Sequence, residues 1–278
     1  MASTNAFGMQ NSCKNLFKNT FNSKELIKQS NKDMIASGHK PELVDLDSLR
    51  SAIWRVDGAF RKRHAYELSF KYLLNKIGIK EIDSYFENYL MSLRENGRST
   101  HVLDLFGSGV FLRDPTLADS STGMRFEPLD WANAGVEMKN RPREVIGDIT
   151  HLQTWKMLDR FMENKDIPKM DLVVMRPDGG WWQAPWFKKD SQYFSVLRFI
   201  IFNTLARMSP DGQFYFDIKW RGVDVRKSTH RKAIESLKKE IWDNTPYELI
   251  IVDIVEPTAI KTLERFNGLI KPKEQKLK

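Results

Sequence analysis

Residues 101–111 read His-Val-Leu-Asp-Leu-Phe-Gly-Ser-Gly-Val-Phe. The run Val102 to Phe106 is apolar except for Asp104, the pattern of a strand buried on both faces of a parallel sheet, and it leads straight into Gly107-Ser108-Gly109. A strand that empties into a glycine turn leaves few folds open. In a doubly wound α/β sheet such a turn lies at the carboxyl ends of the strands, where ligands bind, and glycines let the backbone approach a nucleotide-like ligand closely. The third glycine of the dinucleotide fingerprint is missing, since Leu112 and Arg113 follow Phe111, so the turn alone leaves the cofactor open.

A series of short strands follows. Thr122 to Phe126 ends at Glu127-Pro128, and Glu144 to Ile146 ends at Gly147-Asp148-Ile149. Met170 to Met175 opens into Arg176-Pro177-Asp178-Gly179-Gly180. A long amphipathic helix, a Ser209 to Gly212 turn and a strand from Gln213 to Ile218 come next. Over roughly residues 99–254 this series resembles the class I S-adenosylmethionine-dependent methyltransferases. Val102 to Gly109 matches that family's first motif, Gly147 to Ile149 its third, Asp171 to Asp178 its fourth, and Met208 to Gly212 its later proline-glycine turn. The resemblance implies an α/β fold with a doubly wound, mostly parallel seven-stranded sheet and S-adenosylmethionine as cofactor.

A chain of 278 residues, 41% hydrophobic and 29% charged, can bury a sizeable core. No window approaches the roughly 18 consecutive apolar residues of a membrane span, and the N-terminus has no apolar signal core, which points to a cytoplasmic protein with no membrane partner. Cys13 is the only cysteine, so no internal disulfide or cysteine metal cluster can form, and the scattered histidines have no metal-ligand spacing. Its place near the N-terminus also argues against the nucleophilic cysteine chemistry of cytosine C5 methyltransferases. The net charge is +8, divided unevenly: 16 basic against 11 acidic residues over 1–98, 10 against 13 over 99–180, and 18 against 12 over 181–278. Basic flanks around a mildly acidic middle suit a polyanion such as RNA or DNA, although solvation alone also accounts for surface lysines.

The expected organisation is a flexible polar leader over 1–40, a helical extension over 41–98, the cofactor-binding domain over 99–270 and a polar tail over 271–278. The extension carries helical patterns over Arg61–Lys76 and Glu81–Glu95, stopped by Gly78 and Gly97. They are expected to cap the sheet or its substrate side. Pro115 interrupts the helix that should follow Gly109. Further helices are expected over about 150–162, 190–208 and 229–242, with strands over 247–254 and 263–270, the last two pairing.

The resemblance assigns cofactor binding to Asp104, Phe106, Gly107, Ser108, Gly109, Glu127, Asp148, Ile149 and Met175. Arg125 stands where an acid usually holds the ribose hydroxyls, so Glu127, two residues on and on the same strand face, takes that role. Asp148 corresponds to the carboxylate that accepts from the adenine amino group, with Ile149 packing on the ring. An N-cap for the following helix is the alternative reading of Asp148. The fourth-strand exit departs from the Asn/Asp/Ser-Pro-Pro-aromatic loop of amino methyltransferases, with Asp178 at the second proline and Gly179 at the aromatic. Arg176, Pro177, Trp181, Trp182, Arg221 and Arg226 are candidate substrate contacts, the tryptophans as stacking platforms for a base or as a hydrophobic plug. Asp178 and Lys219 are candidate catalytic residues. With Glu256 they resemble part of the Lys-Asp-Lys-Glu tetrad of ribose 2′-O RNA methyltransferases, although Glu67 stands where that family's first lysine is expected. A non-catalytic RNA-binding relative and a nicotinamide-binding enzyme remain alternatives, and oligomeric state is not legible.

Overall fold

The computed structural model describes residues 21–39, 67, 69–107, 118–125, 143–176, 190–220, 228–257 and 262–274. Seven strands form one sheet: β1 (His101–Leu105), β2 (Ser120–Arg125), β3 (Arg143–Ile146), β4 (Met170–Met175), β5 (Met208–Trp220), β6 (Tyr247–Pro257) and β7 (Thr262–Pro272). Their order across the sheet is β3-β2-β1-β4-β5-β7-β6. The first five are parallel, and β7 enters antiparallel between β5 and β6. This is the mostly parallel α/β sheet that the motif order implies. Every residue of β1 and of β4 is buried, which is why both read as mainly apolar runs, each holding one acid.

Side-chain alternation along these strands divides the interior in two. On one face Leu103, Leu105, Val173, Met175, Phe214 and Phe216 join the larger core. There they meet the helices α1 (Ser23–Ala36), α4 (Leu152–Asn164), α5 (Asp190–Leu205) and α6 (Ser228–Asn244). On the other face Val102, Leu172, Val174, Tyr215 and Leu269 pack against Phe70, Leu73, Leu74, Phe86 and Leu90. Those residues belong to, or immediately precede, α2 (Lys71–Lys76) and α3 (Tyr85–Glu95), the helices expected to form a cap. They are one layer of the sandwich.

Residues 21–39 correct the expectation of a flexible leader over 1–40. Asn22 caps α1 by accepting from the Glu25 amide at 3.2 Å. Met34 is 1% exposed inside the larger core, with Leu26 and Ile27 packed at its border. The reason lies in α5, whose residues Val196, Leu197, Phe199, Ile200, Ile201 and Phe202 are all buried. A helix apolar on every side must be covered on every side, and α1 packs along the flank that the sheet leaves open. Arg198 of α5 fastens this layer: its Nη1 donates to Asp33 of α1 at 2.6 Å, and its Nε and Nη2 grip Glu240 of α6, the former at 2.6 Å.

Smaller differences are local. The Ser209 to Gly212 turn lies within β5 as an irregularity of its pairing with β4: Met170 pairs with Met208, while Leu172 already pairs with Gln213. Helix α3 begins at Tyr85 rather than Glu81. Lys271 and Pro272, placed in the tail, end β7. The interrupted helix after Gly109 lies outside the described residues.

If α1 is part of the core, truncating its most buried side chain is felt as a core cavity. Met34→Ala is expected to lower the unfolding free energy by about 2–4 kcal/mol in denaturant titration, against under about 0.5 kcal/mol for Ile35→Ala, since Ile35 is 57% exposed.

Candidate functional site

The strand order reverses between β1 and β4, with β2 and β3 to one side and β5 to the other. In a doubly wound sheet, ligands bind beyond the carboxyl ends of the strands at this point. Three strand exits on that edge of the sheet carry the residues singled out from the sequence.

At the exit of β1 the chain turns sharply. The Phe106 amide donates to the Met124 carbonyl at 2.8 Å, and Phe106 itself takes φ 65°, a left-handed conformation that is rare for a bulky side chain. Asp104 is 1% exposed, and its carboxylate lies against the α-carbon of Gly107. A Cβ at Gly107 would overlap that carboxylate, so the glycine is required by the acid three residues before it.

At the exit of β3, Gly147-Asp148-Ile149 is stapled to α4. A Cβ on Gly147 would come within 2.7 Å of the Thr154 hydroxyl. That hydroxyl donates to the Asp148 carbonyl at 2.6 Å, and the Trp155 indole donates to the Ile149 carbonyl at 2.8 Å. The N-cap of α4 is His151, whose Nδ1 accepts from the Gln153 amide at 3.2 Å. Asp148 is therefore not the cap. Its Oδ1 accepts from both the amide and the hydroxyl of Thr150, at 2.8 and 2.7 Å. Its Oδ2 is buried and has no hydrogen-bond partner among the described residues. Burial raises the carboxyl pKa, and the two Thr150 donors oppose that shift.

The segment after α1 reaches this exit. His39 is 2% exposed, and its Nε2 lies 2.9 Å from the Thr150 hydroxyl oxygen. Because that hydroxyl spends its one proton on Asp148, it accepts from His39, which assigns the proton to Nε2. Burial lowers the His39 pKa to about 4, so the ring is neutral at physiological pH.

At the exit of β4, Arg176 is 8% exposed and directly follows the last β4–β5 register pair, Met175 with Phe216. Asp217 is buried and accepts from Asn267 of β7 at 3.1 Å. Sequence reasoning missed Asp217 and Asn267. The available signal was an acid inside the apolar run Phe214-Tyr215-Phe216-Asp217-Ile218.

The other expected residues distribute unevenly. Ile149 and Met175 are both 0% exposed in the larger core. Among the described residues, β5 beyond Phe216 pairs with β7 alone, and Lys219 stands opposite Arg265. Glu256 lies on β6, opposite Leu263, with β7 between it and β5, roughly 10 Å across at ordinary strand spacing. The acid in register nearest Lys219 is Glu264, opposite Trp220. Ser108, Gly109, Glu127, Pro177, Asp178, Trp181, Trp182, Arg221 and Arg226 lie outside the described residues. Among the described residues no helix is long and apolar enough to cross a membrane.

Two expectations follow. Gly107→Ala should destabilise the protein by about 1–3 kcal/mol in denaturant titration, because the new methyl displaces a buried carboxylate. The His39 linkage has a definite sign. With its folded pKa lowered to about 4 from 6.5, the stability gained by keeping the ring neutral is fully present above about pH 6.5 and declines as the pH falls toward 4. The stability advantage of the wild type over His39→Ala should therefore shrink between pH 7 and pH 4.5. An advantage that grows on acidification would reverse the assignment.

No family model matches the chain, and no curated protein matches it. Solved structures do. The N-methyltransferase NodS from Bradyrhizobium japonicum is 13% identical, over 69% of this chain and 97% of that one, with a TM-score of 0.37. An rRNA methylase from Streptococcus thermophilus is 10% identical over 69% and 94%, with a TM-score of 0.39. An O-methyltransferase from Bacillus cereus, in complex with S-adenosylhomocysteine, is 12% identical over 78% and 96%, with a TM-score of 0.37.

Proposed function

We propose that the chain is an S-adenosylmethionine-dependent methyltransferase whose acceptor is a nucleic acid. The observation that carries the cofactor reading is Asp148, a carboxylate at the exit of β3 with Oδ1 fixed by Thr150 and Oδ2 buried without a partner among the described residues. A buried acceptor left unmatched costs about 1–3 kcal/mol, and a ligand N–H donor recovers it. The amino group of adenine is such a donor. Two strands away across the sheet, the tight turn at Gly107 brings backbone close to the same ligand, and Glu127 is positioned by sequence to accept from ribose hydroxyls.

When bound, S-adenosylmethionine supplies a methyl group on a positively charged sulfur. The protein's task is to hold an acceptor atom in line with that carbon and sulfur and to manage the acceptor's proton. Asp178 and Lys219 take the proton-handling role in this reading. Arg176, Pro177, Trp181, Trp182, Arg221 and Arg226 orient the acceptor. The nucleic-acid class is supported by the 18 basic against 12 acidic residues over 181–278 and by tryptophans that can stack on bases.

Calorimetric titration with S-adenosylmethionine and, separately, with NAD tests the reading. Binding of the former alone, weakened about 10- to 100-fold in Asp148→Ala, is expected from losing one hydrogen bond to a charged acceptor. No binding by the wild type overturns the cofactor. Methyl transfer to RNA or DNA that disappears in Asp178→Ala or Lys219→Ala, with cofactor binding kept, is expected. Cofactor binding without transfer to either polymer overturns the acceptor.

A further inference from the structure

We propose that His39 is a positioning residue for cofactor recognition, acting through Thr150 to orient the Asp148 carboxylate toward the adenine. The inference rests on the methyltransferase reading for what is recognised, and on the described geometry for how.

Helix α1 ends in a left-handed residue, Gly38 with φ 90°, whose amide donates to the Ile35 carbonyl at 2.9 Å. The His39 amide donates to the Met34 carbonyl at 3.3 Å, so the chain folds back over the end of the helix. This turn carries the imidazole inward to a partner 111 residues away in sequence. From there the contacts run in one direction: His39 Nε2–H to the Thr150 hydroxyl at 2.9 Å, and that hydroxyl to Asp148 Oδ1 at 2.7 Å. The Thr150 amide holds the same oxygen at 2.8 Å. With both donors aimed at Oδ1, the carboxylate plane is fixed and Oδ2 is left to a ligand. Without His39 the threonine hydroxyl keeps its proton but loses what selects its rotamer, and the carboxylate loses one of two restraints.

The test compares wild type, His39→Ala and His39→Gln, whose side-chain amide restores an N–H donor. Each is titrated with S-adenosylhomocysteine and with its analogue carrying hydrogen in place of the 6-amino group. In parallel, the Thr150 backbone amide is followed by NMR in the absence of ligand. His39→Ala is expected to weaken S-adenosylhomocysteine binding about fivefold, the worth of one hydrogen bond, and to leave the analogue unchanged, with His39→Gln within about twofold of wild type. The Thr150 amide signal should move in His39→Ala and return in His39→Gln. Equal weakening of both ligands, failure of His39→Gln to restore the amino-dependent part, or an unmoved Thr150 signal overturns the proposal. If the wild type binds neither ligand, the methyltransferase reading fails by itself, and the Thr150 signal alone decides whether His39 positions Asp148.

Discussion

The contact between the Asp104 carboxylate and the α-carbon of Gly107 governs the centre of this molecule. Asp104 belongs to a strand buried along its whole length, and its carboxyl group lies against the backbone of the turn that follows. That bend puts Phe106 into a left-handed conformation and requires a glycine one residue later. The same bend stops β1 at the point where the strand order reverses. A constrained backbone thus coincides with the point in the sheet where, in doubly wound folds, ligands bind.

A second constraint comes from the all-round apolar character of α5. A helix of this kind cannot remain on the surface of a two-layer domain, and the chain supplies α1 to cover it. Recruiting α1 brings its carboxyl-terminal turn to the exit of β3. Packing therefore delivers His39 to Thr150 without any local signal near Asp148. The Arg198 contacts to Asp33 and Glu240 fix how α1 and α6 sit on α5, and so fix where His39 arrives.

The sequence made the parallel strands legible because burial on both faces leaves little choice but apolar residues, and the glycine or acid that follows each one marks its exit. The order of β1 to β5 could be read this way, and so could the place of Asp148 just past β3. What could not be read depends on pairing between distant segments. Nothing in Thr262 to Pro272 says that it inserts between β5 and β6, and that insertion sets Asn267 against Asp217 and moves Glu256 a strand away from Lys219. The burial of Ile149 and Met175 in the larger core likewise depends on which helices pack over them, which local patterning does not state. Helix α1 was legible only as a short helical stretch over Ser23 to Ser30: Ser23 to Ala36 is mostly polar, and its few apolar side chains gain their role from the flank of α5 that they cover.

These outcomes share a physical origin. Residues whose role is set within one element, such as a strand exit or a glycine beside an acid, show themselves in local sequence. Residues whose role is set by what another element lacks do not. Asp148 belongs to both classes: its place after β3 is local, while the orientation of its carboxylate is set by Thr150 beside it and by His39 from a segment that packing, not patterning, brings into place. A carboxylate with one oxygen held by two donors and the other buried without a hydrogen-bond partner among the described residues is fixed in direction as well as place.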